Sequence, residues 1–238
     1  MLSIIIPTYK EEKYISNAIL QFRKLTIPHE IIVSDDASGD QTTNIARGLT
    51  SKVLETQNKY PTIATNRNRG ASVAVGDYLV FIDADSRIED VNSFFKLALA
   101  DFANIPNLCA VTGSFWIIPS IASRTDKFIY TIFNIVHRIK NNVLHIGEAP
   151  GKFQMIRRDA FLRVGGFRED LVSREDADIF HRLNKVGRTF ADEHLIIYHF
   201  GRRSKALGWP KLLWIWMRDA FFVAAFGKSA SKSWVAFR

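Results

Sequence analysis

Cysteine is nearly absent from this chain of 238 residues. The single thiol, Cys109, excludes an internal disulfide and any multi-cysteine zinc site. Its apolar surroundings at 108–111 suit a buried, inert side chain. Segments low in apolar residues and rich in one charge are also missing, which excludes extended disorder. No internal repeat of fixed period occurs. No apolar run is long enough to span a bilayer: 212–217 and 220–226 are uninterrupted, but Arg218 and Asp219 divide them. Nothing at the N-terminus resembles a secretory leader, because the apolar run at 2–6 is short and Pro7 follows at once. The expectation is a chain that starts at Met1 and stays in a reducing, cytoplasmic compartment. Zinc-finger and ribonucleoprotein signatures do not occur, so nucleic acid is not an expected partner.

What is present is a large apolar fraction, 47 % of residues, enough for one packed core. The length fits one large domain or two fused halves. A formal net charge of +8 favours anionic partners, either a membrane surface or a phosphorylated ligand.

Short β-branched or aromatic runs at 4–6, 31–33 and 78–82 suit buried parallel strands. Between the first two, Ile15, Ala18, Ile19 and Phe22 recur at helical spacing, so a helix crosses back over the sheet. Helices are also expected at 40–49 and 66–75. This alternation predicts an α/β fold with a mostly parallel central sheet and helices on both faces. Beyond residue 115 the pattern predicts a basic amphipathic helix at 120–140, a loop at 147–151 and a strand at 153–156. A short helix at 158–164, a helix at 174–186 and a late strand at 195–198 follow.

In such folds ligands gather at the carboxyl ends of the strands. Three polar clusters fall there: Pro7-Thr8-Tyr9, Asp35-Asp36 and Asp83-Ala84-Asp85. Asp83 and Asp85 are two apart, so on an extended chain both carboxylates face one ligand. Mg²⁺ or Mn²⁺ bridged to a diphosphate takes such oxygens. A capped turn after a strand is the other reading.

Taken in order, the segments S-I-I-I-P-T-Y from Ser3, I-I-V-S-D-D-A-S-G-D from Ile31, N-R-N-R-G from Asn66 and D-A-D from Asp83 form a recognisable set. G-G-F-R-E from Gly165 and R-E-D-A-D-I-F-H-R-L from Arg174 complete it. The set resembles the family 2 glycosyltransferases of GT-A fold, over about residues 2 to 200. The family's forms differ at a few positions: Lys10 replaces the common asparagine, Ser34 a valine and Asn66 an alanine, while Arg69 adds a charge.

The resemblance implies metal-dependent, inverting transfer of a sugar from a UDP- or GDP-sugar to an acceptor hydroxyl, in cell-surface polysaccharide or glycolipid synthesis. Residues 1–115 would bind the nucleotide sugar, 116–200 would bind the acceptor and carry the base, and 201–238 would form an amphipathic helical tail. Tyr9 would stack on the base, with Pro7 and Thr8 lining the same pocket. Glu11 would hold the base or its loop, and Asp36 would accept a hydrogen bond from the base. Arg67 would contact the nucleotide or diphosphate, and Asp83 the ribose or the metal. Asp85 would coordinate the metal, Mn²⁺ or Mg²⁺, with His199 either completing that site or serving the strand end. Asp176 would be the general base, and Glu175 would contact the acceptor or orient the loop. Asp176 and Glu175 also read as a capping pair at a helix start. Arg202 and Arg203 read either as a closure over the diphosphate or as a solvated basic loop.

Two other classes compete. A sugar-phosphate nucleotidyltransferase would open on a glycine- and basic-rich loop, and Pro7 to Lys13 contains no glycine. A non-catalytic nucleotide-sugar-binding domain would have lost Asp85 or Asp176, and both are present. For the tail, an interfacial helix and a helix packed on the core or in a dimer remain open. With the basic segment 120–140, the former implies peripheral contact with the inner face of the cell membrane and a saccharide or lipid-linked acceptor.

Overall fold

The computed structural model describes residues 1–56 and 62–231, and one eight-stranded sheet organises them. Its strands are β1 (Leu2–Thr8), β2 (His29–Asp35), β3 (Lys52–Glu55), β4 (Tyr78–Ile82), β5 (Ser86–Arg87), β6 (Leu108–Ile117), β7 (Phe153–Arg157) and β8 (Arg188–His199). They lie in the order β3-β2-β1-β4-β7-β6-β8-β5. Strands β1 to β4 run parallel, β6 and β8 share their direction, and β7 and β5 oppose it. The mostly parallel sheet expected from the apolar runs is therefore present. It also runs through both expected halves, since β6 itself crosses residue 115.

All seven residues of β1 are buried, the mark of a central strand covered on both faces. Successive side chains alternate, so Ile4 and Ile6 enter one core while Ile5 enters the other. Helices α1 (Ile15–Leu20) and α4 (Val91–Asn104) cover the first core with Ile15, Ile19, Phe94 and Phe95. Helices α3 (Ile63–Ser72), α6 (Arg158–Arg163) and α7 (Glu175–Leu183) cover the second. Gly70 lets α3 lie close on β1: a Cβ there would stand 2.5 Å from Ile5 Cγ2.

Several boundaries move relative to the sequence expectation. Helix α3 begins at Ile63, where the Thr62 side chain accepts from the Thr65 N–H, so Arg67 sits in its second turn and not at its start. Helix α2 (Thr42–Arg47) is shorter than 40–49, and the Asp40 carboxylate takes the Thr42 N–H just ahead of it. The late strand β8 spans twelve residues, with a register shift opposite Thr112/Ser114 that hides its period behind Asp192, Glu193 and His194. Helix α4 and strand β6 were not anticipated. Asp90, which accepts from the Asn92 and Ser93 N–H groups, and Phe94, Phe95, Ala98 and Phe102 at helical spacing were the available signals for α4.

Helix α5 (Arg124–Arg138) opens on a Ser123/Asp126 capping box and buries polar residues, Asp126 and Asn134. The Asn134 amide accepts the Phe115 N–H at 3.0 Å and donates to the Phe115 carbonyl at 3.1 Å, so hydrogen bonds dock this helix on β6. Phe128, Ile132, Ile135 and Val136 remain exposed. After α8 (Arg202–Leu207), helix α9 (Trp209–Phe226) packs on α5: the Trp209 indole donates to Asp126 at 2.7 Å, and Trp216 meets Phe133 at 5.5 Å. Drawn as a helix, the tail sets Lys211, Arg218 and Asp219 on one side, opposite a broad aromatic face, yet Asp219 does not stay in solvent. It is instead buried two turns from Leu212, accepting from Ser173, Ser231 and Arg218, because those partners offset its desolvation. Among the described residues no helix is long and apolar enough to cross a membrane. Residues 232–238 of the expected tail lie outside the described residues.

Candidate active site

The carboxyl ends of β1, β2 and β4 form one crevice, closed by the chain that follows β8. At its base end, Asp35 is fully buried and serves the loop: it accepts from Thr8 Oγ1 at 2.7 Å and from the Ser38 N–H at 2.8 Å. Asp36, next along, has its N–H on the Thr8 carbonyl, which turns its side chain the other way. Burial raises Asp36 to about 6 although Arg69 opposes the shift. Tyr9 stands at the lip, 36 % exposed, after buried Pro7 and Thr8.

Three residues that depart from the family pattern meet here. Ser34 Oγ donates to Asn66 Oδ1 at 2.7 Å, and Arg69 Nε donates to Ser34 Oγ at 3.1 Å. The Arg69 guanidinium also holds the Asp35 carbonyl at 2.8 Å and lies 3.5 Å from Asp36. Asn66 Nδ2 donates to the Thr8 carbonyl at 3.2 Å. Scattered substitutions thus form one network under the two aspartates.

At the centre, Arg67 is fully buried. Its guanidinium donates to Glu175 at 2.9 Å, to the Gly151 carbonyl at 3.0 Å and to Asp83 at 3.3 Å. The side chain expected to meet the donor therefore lies under the crevice floor, holding two acids. Asn68, one residue on, clamps the G-G-F-R-E segment by pairing with both the N–H and the carbonyl of Phe167, at 2.9 and 2.8 Å. A Cβ on Gly151 would stand 2.5 Å from Arg67 Nη2 and 3.3 Å from Asp176 Oδ2, so a side chain there would have to displace the buried guanidinium. Glu175 and Asp176 open α7, after Arg174 in a left-handed conformation at φ 69°. Burial, with Asp176 next to it, raises Glu175 against the pull of Arg67. Burial likewise raises Asp176, against Arg67 and Arg174.

Beside them, Lys152 Nζ bridges the acidic pair, 2.7 Å from Asp85 and 3.1 Å from Asp83. Arg202 Nε donates to the other Asp85 oxygen at 3.0 Å, and its Nη atoms make a two-pronged bond with Glu11, both at 3.0 Å. Burial would raise Asp85, but Lys152 and Arg202 outweigh it and hold the carboxyl well below the usual range. Arg203 lies among Glu175, Asp83 and Asp176, and desolvation lowers it to about 10. The two arginines thus line the crevice and do not form a solvated loop. Sequence reading missed Lys152, because a lysine directly after a loop glycine carries no local signal.

His199 reaches the site by strand pairing: β5 against β8 sets it opposite Ser86, next to Asp85. Burial lowers it to about 3, so the imidazole is neutral. Its Nδ1 accepts the Gly201 N–H at 3.0 Å, while Nε2 is buried with no partner. The two carboxylates, with an ammonium already drawn between them, fit a hard divalent cation. His199 Nε2, by contrast, carries the proton of the neutral imidazole while Nδ1 accepts from Gly201, so it would join a cation only after that proton has moved. As they stand, no three acidic, histidine or cysteine side chains among the described residues are arranged to hold a metal ion. Lys152 takes the point between the carboxylates.

A sequence profile described as Glycosyl transferase family 2 matches residues 3–165. The chain belongs to glycosyltransferase family 2. This family 2 member is 26 % identical over 197 residues to the O-antigen chain rhamnosyltransferase WbaN of Salmonella anatum, covering 79 % of this chain and 62 % of that one. It spans about half to two thirds of the length of this and two further curated relatives that it matches over most of its own length, and less of others. Its GT-A fold superposes on the Pyrobaculum calidifontis mannosyltransferase PcManGT, solved with GDP-Man and Mn²⁺, at a TM-score of 0.68 with 19 % identity, covering 83 % of this chain and 56 % of that one. It also superposes on the glucosyl-3-phosphoglycerate synthase of Mycobacterium tuberculosis, solved with Mn²⁺, UDP and glucosyl-3-phosphoglycerate. There the TM-score is 0.66 and the identity 16 %, over 97 % of this chain and 81 % of that one.

Proposed function

We propose that this chain transfers one sugar, with inversion, from a UDP- or GDP-sugar to an acceptor hydroxyl with the help of Mn²⁺ or Mg²⁺. The observation that carries the reading is the convergence of Asp83 and Asp176 on Arg67 and Gly151, with Asp85 joined to Asp83 through Lys152, in a chain of a sugar-transferring family. The GDP-Man and UDP complexes of the structural neighbours support the donor class and the cation. The rhamnosyltransferase relative supports cell-surface polysaccharide or glycolipid synthesis.

In this reading residues 1–115 hold the donor and 116–200 the acceptor. Tyr9 offers its ring to the base, Pro7 and Thr8 line the pocket, and the Asp36 carboxylate accepts a base N–H. Glu11 fixes Arg202 over the crevice. Asp176 takes the proton of the acceptor hydroxyl as that oxygen bonds the anomeric carbon and the bond to the diphosphate breaks. A carboxyl raised by burial is the stronger base for this step. Glu175, buried on Arg67, orients that arginine and the floor under the acceptor. Asp85, Asp83 and His199 would hold the cation, whose chemistry is to offset the charge that grows on the leaving diphosphate. Arg202 and Arg203 add fixed positive charge on the same side.

Donor binding tests this. Calorimetric titration of UDP and GDP in Mn²⁺ is expected to give saturable binding of one of them, abolished by EDTA. Equal affinity in EDTA would remove the cation from the proposal, and binding of neither nucleotide would remove the proposal itself.

The exposed faces of α5 and α9 support peripheral contact with the anionic inner leaflet and a lipid-linked saccharide acceptor. Phe128 and Phe221 are 67 and 63 % exposed, and the same two helices carry Arg124, Lys127, Arg138 and Lys211. Deleting the tail is a poor test, because α9 buries Leu212 and Asp219. Phe128→Asp combined with Phe221→Asp is expected to release the protein from phosphatidylserine vesicles in co-sedimentation with its melting temperature unchanged. Sedimentation at the wild-type level would overturn the membrane assignment.

A further inference from the structure

We infer that Lys152 is an internal counter-ion of the D-A-D carboxylates, one that must leave them before a divalent cation enters and that then serves the donor's diphosphate. The inference rests on the proposed cation site and concerns a residue outside the quoted motifs.

All four oxygens of the pair have cationic partners. Asp83 meets Arg67 with one oxygen and Lys152 with the other, while Asp85 meets Lys152 and Arg202. Each oxygen keeps a second lone pair. A metal ion shared by both acids, however, would stand where Lys152 Nζ now stands, 2.7 Å from Asp85 and 3.1 Å from Asp83. It would add charge to three cations already there, so one partner must yield. Arg67 cannot yield: its side chain is 1 % exposed and is tied to Glu175 and the Gly151 carbonyl. Arg202 is anchored by its two-pronged bond to Glu11, and its guanidinium lies over the Tyr14 ring at 4.9 Å. Among the described residues the Lys152 ammonium pairs with these two aspartates alone, and its side chain is 26 % exposed. A compact ammonium on a four-carbon stem can swing where a guanidinium held at both ends cannot.

The chain around Lys152 suits that motion while holding its backbone still. Lys152 follows Gly151, and its carbonyl accepts from the Asp83 N–H and from Ser86 Oγ, at 3.4 and 3.2 Å. Its Cα is thus fixed to the strand end that bears the acids, and only the side chain is at liberty. An incoming diphosphate is the natural new partner. It brings negative charge beside a cation that the metal has displaced, so metal and nucleotide bind each other's site better together than alone. Without nucleotide, the lysine competes with the metal for the same oxygens. With nucleotide, it adds to donor affinity.

The test exploits this change of sign. In Lys152→Met, Mn²⁺ binding without nucleotide, read from the loss of the free-ion electron paramagnetic resonance signal, is expected to tighten about tenfold. The affinity for UDP or GDP at saturating Mn²⁺, read by calorimetry, is expected to weaken about tenfold. Lys152→Arg, which keeps the charge, is expected to stay within about threefold of wild type on the first measurement. A lysine with only a structural role would leave both affinities unchanged or weaken both, and either result overturns the inference. If neither wild type nor Lys152→Met binds Mn²⁺, with or without nucleotide, the cation site fails and this inference with it. Mn²⁺ binding that is equal in wild type and Lys152→Met overturns the lysine's role alone. Melting curves of the three proteins identify a variant that has failed to fold, in which case Lys152→Gln, similar in length and still polar, takes its place under the same two expectations.

Discussion

Replacing Asp176 with asparagine is expected to cut sugar transfer by roughly 10²–10⁴-fold, the range for losing a positioned base, with donor affinity close to wild type. The carboxylate stands in the first turn of α7, and its Oδ1 accepts the Ala177 N–H at 2.8 Å. An asparagine oxygen can keep that bond, so the helix start is preserved and the fold changes little. What asparagine cannot do is take a proton. Its chemistry matters only when the acceptor oxygen attacks, which is why donor binding is spared. If the residue serves α7 alone, turnover, donor affinity and melting all stay near wild type. Turnover near the wild-type rate would therefore remove Asp176 from the mechanism.

Arg67→Met is expected to cost about 3–5 kcal/mol of stability, the range for removing one member of a buried ion pair. For a domain of this size that corresponds to a melting temperature roughly 10 °C lower. Methionine fills much of the same volume, so the cost is electrical. Glu175, the Gly151 carbonyl and one oxygen of Asp83 lose their donor in the interior. The sign with pH follows from Glu175, whose affinity for a proton burial has already raised above the unfolded value. Losing Arg67 raises it further, so the folded state is penalised at high pH and relieved as pH falls and the carboxyl is protonated. The gap between wild type and variant should therefore be smaller at pH 5 than at pH 8. A loss under about 1 kcal/mol at pH 8, measured by denaturant titration, would mean that the buried cluster is not held by Arg67.

Much of the fold could be read from local pattern. The continuous apolar run of β1 and the β-branched run of β2 declared strands covered on both faces, because such runs have no polar side to offer water. What escaped reading escaped for physical reasons. Strand β5 is two residues long and exists only through its pairing with β8. The polar residues of β8 sit at a register shift, so its period is broken where a reader would look for it. Helix α5 buries asparagine and aspartate and exposes phenylalanine and isoleucine, so its amphipathic pattern marks a helix but misstates which side meets the core. Asp219 follows the same logic: nothing in its charge announces burial, which rests on partners such as Ser173 and Ser231.

The sequence by itself determined the family, the strand ends at which acids collect and the candidate acids, Asp36, Asp83, Asp85 and Asp176. These depend on side-chain identity and on spacings of a few residues, which the backbone periods convert directly into direction. Only the tertiary structure decided which cation each acid meets. Asp85 is bonded to Lys152 and Arg202, 67 and 117 residues further along, and Glu11 to Arg202, 191 residues away. Charge pairing in a buried site acts over a few ångströms of space and is blind to separation along the chain. The partners of Asp85 exist only once β4, β7 and β8 have taken their places in one sheet.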